Sequence, residues 1–314
     1  MHMKKDSNPQ TLFIVLAFFA IYVIWGSTYL LNKIAVTELP PFMLASFRFV
    51  TAGILIFLLA KLMGKPIGIS MRQFKNTVIA GFLFLSFGNG VVVWALRFID
   101  SGFAALVISI QPLIVLLLMR ILQGKKIVPM SLIGVGLGMI GIYLLVGQEE
   151  LLQNENSVLG LIMIFACLLS WAYGSLFVGK ADLPKNYFVN TGYQMFTGGI
   201  LLAFMSLIFQ EEWSSPTQWT GKTQIVMILL VLFGSIIAFT AFNYLLKTVS
   251  PEKVATSTYI NPIVALFLGW FFLDEIVTNQ SILAAAVLLT GVYFINTKKK
   301  LVIFSRFRRK QGEI

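Results

Sequence analysis

Long apolar stretches separated by short polar connections dominate the chain. Ten windows are apolar and nearly free of charge, and each is about long enough to cross a ~30 Å hydrocarbon layer as a helix. They cover residues 12–31, 42–60, 77–96, 101–119, 127–147, 157–179, 187–210, 223–246, 254–273 and 276–297. Helices are expected because lipid cannot satisfy exposed backbone N–H and C=O groups. The pattern therefore predicts an all-α integral membrane protein with ten transmembrane helices and no soluble domain.

The composition agrees with this prediction. Of the 314 residues, 58% are hydrophobic and only 12% are charged, against ~25% charged residues in a soluble domain. So little polarity cannot cover a water-facing surface, and most of the surface is expected to face lipid. The His-Met pair after Met1 is typical of a cloning scar, and the chain has no other histidine. The single cysteine, Cys167, lies in an apolar run and is interpreted as a packed thiol. We therefore expect no metal site and no cofactor.

Lysine and arginine residues are distributed unevenly between the connections. With the N-terminus placed inside, 20 of the 24 fall in the N-terminal segment, the inside connections or the C-terminal tail, whereas only Lys33, Arg97 and Lys222 fall outside. Basic residues concentrate on the cytoplasmic side of membrane proteins. Both ends are therefore predicted to be cytoplasmic, with the chain in a bacterial-type inner (plasma) membrane and its basic tail against anionic headgroups. This sorting accounts for the net charge of +11, so we expect no nucleic-acid partner.

The two halves of the chain resemble each other. At an offset of 146, Trp25 matches Trp171 and residues 51–55 match 197–201, and at an offset of 150, residues 110–114 match 260–264. Because each half has five windows, an odd number, the second half must enter the membrane in the opposite orientation. Inverted repeats give one chain two related arrangements, one open to each side of the membrane. This pattern favours a transporter.

The duplication predicts a domain organisation in five parts. A cytoplasmic N-terminus with the cloning scar covers 1–11, and a basic cytoplasmic tail covers 298–314. Between them lie a first five-helix repeat at 12–147, an extracytoplasmic linker at 148–156 and a second five-helix repeat at 157–297. In the fifth window, Gly134 and Gly138 form a GxxxG pair, which suits close helix contact. That contact is expected within one chain, with dimerisation as the alternative, so we expect a monomer or weak dimer.

Short motifs along nearly the whole chain resemble the drug/metabolite transporter superfamily, specifically its EamA-type members. The matching stretches are Ile24-Trp25-Gly26-Ser27-Thr28-Tyr29, Arg48-Phe49, Gly88-Asn89-Gly90, Phe233-Gly234-Ser235-Ile236-Ile237-Ala238, Val249-Ser250-Pro251, Ala255-Thr256-Ser257, Asn261-Pro262-Ile263-Val264-Ala265 and Asp274-Glu275. The resemblance implies two inverted five-helix repeats around a cavity lined by the first, third, fourth, sixth, eighth and ninth helices. It also implies transport, often export, of amino acids, other metabolites or toxic compounds. In one departure, an acidic residue follows the ninth window at Asp274-Glu275 but is absent after the fourth, at Gln123-Gly124-Lys125-Lys126.

Two prolines lie near the middle of the fourth and ninth windows. Pro112 and Pro262 lack an N–H and block the bond to the carbonyl four residues earlier. A carbonyl freed at mid-membrane needs a partner, and a cavity or substrate would supply one. Gln111 and Asn261 precede the prolines in symmetric positions, and Ser257 lies on the same helix face as Asn261. These residues predict a substrate site near the midplane with a hinge at each proline; the alternative is two packing kinks with polar groups bonded between helices.

Aromatic, charged and amide side chains provide further candidates for the site. Trp25, Trp171 and Tyr259 are candidate cavity-lining aromatics, although aromatics near window ends often belong to interfacial belts. Arg48 is the only charge inside any window, and it either attracts a carboxylate substrate or bonds carbonyls and reaches the outer interface. Asn89 is a candidate polar group of the cavity, with an interhelical hydrogen bond as the alternative.

No aspartate or glutamate falls inside a window, and the P-loop pattern GxxxxGK[ST] is absent. Proton-coupled carriers commonly use a membrane-embedded carboxylate, so facilitated export or exchange is favoured over carboxylate-driven antiport, and pumping driven by ATP is not expected. The sequence therefore predicts a secondary transporter of small metabolites, amino acids or related compounds, or drugs. The alternatives are a membrane-embedded enzyme acting on lipid or isoprenoid substrates and a sensor that does not transport. An enzyme is disfavoured because no acidic pair is joined by histidine or cysteine.

Overall fold

The computed structural model describes residues 9–124, 129–146, 155–249, 254 and 257–296. Within these residues the regular structure is entirely helical, and each of the ten predicted windows contains a helix. The helices are α1 (Gln10–Val36), α2 (Pro41–Leu62), α3 (Met71–Ala95), α4 (Ser101–Gln123), α5 (Pro129–Val146), α6 (Ser157–Val178), α7 (Tyr187–Ile208), α8 (Gly221–Thr248), α9 (Ser257–Leu273) and α10 (Asn279–Asn296).

Seven of these helices, α1–α4 and α6–α8, are long and apolar enough to cross a membrane. The other three contain shorter apolar stretches, namely Met130–Gly141 in α5, Ile260–Leu273 in α9 and Asn279–Gly291 in α10. The chain is therefore a multi-pass membrane protein. The basic tail at 298–314 and most of the predicted linker at 148–156 lie outside the described residues.

Several of the helices depart from regular α geometry near their middle. π-Helical segments occupy Ala20–Ile24 in α1, Phe82–Asn89 in α3 and Leu230–Ile237 in α8. A π-helical turn shifts the backbone hydrogen bonds to i→i+5, and such turns are frequent at functional sites. The segments in α3 and α8 occupy corresponding positions in the two halves.

The two prolines predicted as hinges have different local structures. Helix α4 consists of two parts, Ser101–Ile108 and Gln111–Gln123, so Pro112 lies in the first turn of the second part. A proline is tolerated there because the first N–H groups of a helix have no intrahelical partner. Helix α9 continues through Pro262 without a break. The repeat-related helices α4 and α9 therefore accommodate their prolines in two different ways.

Helix α2 packs along its repeat counterpart α7, and α5 packs along its counterpart α10. A Cβ atom added at Gly53 would lie 2.8 Å from the backbone N of Phe196, and one added at Gly199 would lie 2.7 Å from the backbone N of Val50. The offset of 146 relates Gly53 to Gly199 and also Val50 to Phe196. The backbones of α2 and α7 therefore approach each other closely at two places, which are related by exchanging the two halves.

The crossing of α5 with α10 repeats this pattern at the offset of 150. A Cβ atom at Gly141 would lie 2.5 Å from Cγ of Leu288, and one at Gly291 would lie 3.1 Å from the backbone N of Gly138. Gly134, Gly138 and Gly141 of α5 therefore face α10 within the chain. Between these two pairs, α1 contacts α8 and α9, and α6 contacts α3 and α4.

Three glutamates cap helices at one side of the bundle, which we call the capped side: Glu38, Glu211 and Glu275. Glu211 accepts hydrogen bonds from the backbone N–H groups of Phe42 (3.0 Å) and Met43 (2.7 Å) at the start of α2. Carboxylates are favoured there because the first N–H groups of a helix lack partners and carry the positive end of its dipole.

Glu275 does the same at the start of α4. It accepts hydrogen bonds from the N–H groups of Ser101 (2.9 Å) and Gly102 (3.0 Å) and from the Ser101 hydroxyl (2.7 Å). Glu38 accepts hydrogen bonds from the N–H of Thr220 (2.8 Å) and from the hydroxyls of Thr220 and Thr223 at the start of α8. Each cap joins an element of one half to an element of the other.

The helices that begin the two halves run in opposite directions. Near the end of α1, Lys33 Nζ donates to the carbonyls of Leu96 (2.9 Å) and Ile99 (2.8 Å). At the start of α6, the Ser157 hydroxyl donates to the carbonyl of Phe98, 3.3 Å away. Both contacts involve the α3–α4 connection on the capped side, so α1 ends where α6 begins.

Candidate functional site

A cavity lies between the two halves, with a volume of about 130 Å³, well above the ~15 Å³ that one buried water requires. Its described lining comes from α1–α4, α6–α9 and Val254. None of the described side chains of α5 and α10 lines the cavity, since these two helices pack against each other. The lining runs from Asn32 and Val92, near the capped side, to Ser175 and Leu246, near the opposite helix ends. The cavity therefore follows much of the length of the helices.

Seven of the predicted site residues line this one cavity: Trp25, Arg48, Asn89, Gln111, Trp171, Ser257 and Asn261. Two predicted hinge residues, Pro112 and Pro262, directly follow lining residues in α4 and α9. The side chain of Tyr259 lies outside the described part of the structure. Whether these residues bind a substrate stays a prediction, but the fold does bring them together.

A cluster of aromatic rings forms one part of the cavity wall. The rings of Trp25 and Trp171 meet edge to face, with centroids 5.9 Å apart. Phe242 lies 5.0 Å from Trp25 and Phe84 lies 5.0 Å from Trp171, again between centroids. Trp25 also donates its indole N–H to the carbonyl of Gly234 at 3.2 Å. Such aromatic pairs stabilise packing by ~1 kcal/mol beyond their buried area, so this wall is expected to be rigid.

Arg48 is the only charged residue among the described lining residues, and its side chain is only 3% exposed. Its Nε donates to the hydroxyl of Ser235 (2.7 Å) in α8, and its Nη1 donates to the side-chain oxygen of Asn32 (3.3 Å) in α1. Gly234 leaves room for the guanidinium, because a Cβ there would lie 3.0 Å from Nη2. Arg48 thus bonds to polar side chains of two neighbouring helices rather than to carbonyls or the interface.

Two amide groups of the lining have buried atoms without a hydrogen-bond partner in the described structure. They are the side-chain oxygen of Asn89, an acceptor, and the side-chain nitrogen of Gln111, a donor. An unpaired buried polar atom costs ~1–3 kcal/mol. These two amides therefore offer one donor and one acceptor that a bound molecule or water would satisfy.

Asn261 differs from its repeat counterpart Gln111. With its amide oriented so that the nitrogen donates, it bonds to the carbonyls of Tyr22 (2.8 Å) and Ile21 (3.0 Å) in the π-helical segment of α1, and of Ser257 (3.1 Å). The hydroxyl of Ser257 donates to the carbonyl of Val254 at 3.1 Å. Asn261 therefore joins α9 to α1. Helix α6, the counterpart of α1 in the second half, has no π-helical segment. The side-chain nitrogen of Gln111 has no hydrogen-bond partner in the described structure.

Some lining residues were not predicted. Asn32, which binds Arg48, and Phe239 and Phe242 beside Trp25 carry no signal of their own, since one amide or phenylalanine in an apolar helix looks like ordinary packing. Arg48 and Phe49 of α2 and Met195 of α7 also extend the lining beyond the six helices that the resemblance implied. Within the described residues, no group of three or more His, Cys, Asp or Glu side chains is placed to hold a metal ion.

An apolar helical bundle with a mostly apolar cavity between its halves, lined by a few polar side chains, is the architecture typical of a membrane transporter. The sequence pattern of the EamA-like transporter family matches residues 12–147 and again 158–297, so the chain belongs to that family.

Relatives agree with this assignment. The chain is 34% identical over 286 residues to YedA of Escherichia coli (strain K12), an uncharacterized inner membrane transporter, and the match covers 91% of each. It is 22% identical to YoaV of Bacillus subtilis (strain 168), an uncharacterized transporter, over 90% of this chain and 96% of that protein. A solved crystal structure with 19% sequence identity superposes with a TM-score of 0.67, covering 94% of this chain and 98% of the other. That last likeness concerns the fold alone.

Proposed function

We propose that this protein is a secondary transporter that moves a small metabolite across the cytoplasmic membrane, as an exporter, by alternating access. Ten helices cross the membrane as two inverted five-helix repeats, at 12–147 and 157–297, with both termini in the cytoplasm. The repeated family match, the opposite directions of α1 and α6, and the contacts that recur with the halves exchanged support this arrangement.

The single observation that carries the proposal is the position of the cavity. It lies where the two halves meet, and the repeat-related pair Trp25 and Trp171 contact each other in its wall. Two residues related by a two-fold exchange touch only close to the axis of that exchange. Substrate sites of inverted-repeat transporters lie at such an interface, near the bilayer midplane. Rocking of the halves would then expose the same site first to one side and then to the other.

The chemistry of the lining favours a carrier without carboxylate coupling. Among the described lining residues there is no aspartate or glutamate, and membrane-embedded carboxylates are the usual proton carriers in coupled transport. The same lining has no acid, base and nucleophile grouped for catalysis, so nothing there favours a membrane-embedded enzyme.

Transport by purified protein in liposomes tests the proposal. Uptake would be measured over labelled amino acids, purines, organic acids and organic cations, each with and without a proton gradient. We expect saturable uptake of one class that does not depend on the gradient. Trp171→Ala should lower this flux at least ~10-fold, because it removes half of the central aromatic pair. Trp270→Ala, at an exposed tryptophan of α9 that is not among the cavity-lining residues, is the matched control and should transport normally. Normal flux in Trp171→Ala would contradict the site, and no saturable flux for any class would contradict the function.

A further inference from the structure

The charge of the cavity restricts the molecules that it can hold. Arg48 is the only charged group among its described lining residues. The only ion pair within the described structure is Lys33 with Asp100, at 3.7 Å, on the capped side of the bundle. Arg48 therefore has no carboxylate partner there. A buried charge without a counter-ion is costly in a low-dielectric setting, and an anionic ligand would remove that cost.

The unpaired N–H donors in the cavity are the type of group that binds a carboxylate. The guanidinium has five N–H donors, and its bonds to Ser235 and Asn32 use the Nε and one Nη1 donor. The nitrogen of Gln111 adds a further buried donor without a partner in the described residues. A carboxylate accepts about four hydrogen bonds through two oxygens. Bonds between charged partners are about twice as strong as neutral ones.

A ligand that also carries an ammonium group would gain little here. No described lining residue is acidic, and an ammonium in the cavity would be repelled by Arg48. The remaining acceptor without a partner is the neutral side-chain oxygen of Asn89, which suits a hydroxyl or amide N–H of a ligand. The cavity therefore favours a single negative charge over a zwitterion or a cation.

The rest of the wall suits an apolar, flat body. Trp25, Trp171, Phe239 and Phe242 all line the cavity, and the tryptophan pair provides a T-shaped corner against which a ring can pack edge to face. We propose that the site takes a monoanionic carboxylate on an aromatic or similarly flat apolar body, with Arg48 and Gln111 binding the carboxylate and the aromatic cluster holding the body. This proposal rests on the proposed function and names the substrate class.

Binding of three matched probes by isothermal titration calorimetry tests this assignment. Phenylacetate, phenylacetamide and phenethylamine share one aromatic body and differ only in carrying a negative, a neutral or a positive head group. We expect phenylacetate to bind at least ~10-fold more tightly than phenylacetamide, because its bonds are charge-assisted, and phenethylamine not to bind. An amide or amine that binds as tightly as the acid would overturn the proposal, as would failure of the acid to bind.

Variants locate the carboxylate. Arg48→Gln should remove the preference for phenylacetate over phenylacetamide, while Arg72→Gln, an exposed arginine at the start of α3, should keep it. Because Arg48→Gln breaks bonds to α1 and α8, Gln111→Leu is a second variant, and it should weaken phenylacetate at least ~3-fold and phenylacetamide less. An unchanged preference in a folded Arg48→Gln protein, or unchanged phenylacetate binding in Gln111→Leu, would overturn the assignment.

The liposome uptake panel distinguishes failure of this substrate assignment from failure of the proposed transport function. Saturable uptake of a neutral or cationic class, with no binding of phenylacetate, would overturn the substrate class and leave the transporter standing. Saturable uptake of no class would remove the transport function itself.

Discussion

Arg48 connects three helices through one guanidinium, and the surrounding residues are fitted to it. Its hydrogen bonds reach Asn32 in α1 and Ser235 in α8, so it contributes to the packing of the first half against the second. A charge inside a membrane protein is tolerated only where polar partners or a wet cavity surround it. Arg48 has polar partners and lines the cavity, and the residue beside it, Gly234, has no side chain that would displace it.

Gly234→Ala tests how tightly Gly234 packs against Thr28 and Arg48. The new methyl group would lie 2.8 Å from Cγ2 of Thr28 and 3.0 Å from Nη2 of Arg48, so one of them must move. We expect a loss of ~1–3 kcal/mol of stability, as for other overpacked sites, measured by unfolding in mixed micelles. Gly136→Ala is the control, because open space surrounds Gly136, and it should gain up to ~1 kcal/mol from helix propensity. Equal stability of the two variants would contradict the close contact.

Glu38 gives a prediction for the pH dependence of stability. Its hydrogen bond from the side chain of Thr223, together with those from Thr220, holds the pKa of Glu38 below its usual 4.5. A carboxyl whose pKa is lower in the folded state contributes stability above its unfolded pKa and loses it as the pH falls through the folded pKa. The difference in Tm between the wild type and Glu38→Gln should therefore be largest near about pH 6 and shrink towards about pH 3. A difference that is constant over this range would contradict the cap.

At the scale of residues, the internal repeat was the most useful feature for predicting which residues line the cavity. It drew attention to Trp25, Trp171, Gln111 and Asn261, which the fold brings to one cavity. The different situations of Gln111 and Asn261 were not predictable, because they depend on a π-helical segment in α1 that α6 lacks. Backbone departures of this kind come from packing between helices, which a residue pattern does not record.

At the scale of elements, the bundle uses carboxylates of one helix connection to complete the start of another helix. Glu211 and Glu275 occupy the starts of α2 and α4. Each replaces water at N–H groups that lipid could not satisfy. The sequence has an acidic residue after α9 that is not matched after α4. In the structure this residue, Glu275, caps the start of α4. Residues 125–128, where a matching acid after α4 would stand, lie outside the described structure.

Glu275→Ala should weaken the start of α4. It removes an acceptor from the N–H groups of Ser101 and Gly102, and loss of an N-terminal cap costs ~0.5–2 kcal/mol. Faster hydrogen exchange at residues 101–104, measured by mass spectrometry, would report the loss. Glu212→Ala removes an exposed glutamate after α7 and is the matched control. Unchanged exchange at 101–104 in Glu275→Ala would argue against the cap.

The existence of the helices followed from hydropathy, whereas their ends did not. The third window was predicted at 77–96, but α3 begins at Met71. Its polar first turn is started by Ser70 and Gln73, which exchange hydrogen bonds as a capping box. A search for apolar residues overlooks such a turn. The break in α4 before Pro112 was anticipated from the proline, but the continuity of α9 through Pro262 was not. A hinge at either proline stays a prediction.

At the scale of the whole molecule, the two halves enclose a central cavity, and hydrogen bonds join them on the capped side. The bonds there include the three glutamate caps, each of which joins one half to the other. On the opposite side, Asn76 and Gln73 in α3 donate to the backbone carbonyl (2.9 Å) and the side-chain oxygen (3.2 Å) of Asp182 after α6. Because both sets of contacts are formed in this structure, alternating access requires each set to open in turn.

The membrane class, the helical fold and the family could be predicted from sequence because lipid imposes strong constraints on composition and backbone. The contribution of Met195 from α7 to the cavity could not, because it follows from how the helices cross. The molecule-scale claim is that this cavity opens in turn to both sides of the membrane.

Accessibility of a cysteine in the cavity tests that claim most directly. Gln111→Cys would be made in a Cys167→Ala background, oriented in liposomes, and treated with a small membrane-impermeant thiol reagent from one side or the other. Gly136→Cys, on a helix that does not line the cavity, is the control and should react poorly from both sides. Alternating access predicts that Cys at position 111 reacts from each side, and that a transported substrate slows both reactions. Reaction from one side only would contradict the account and indicate a closed-ended crevice.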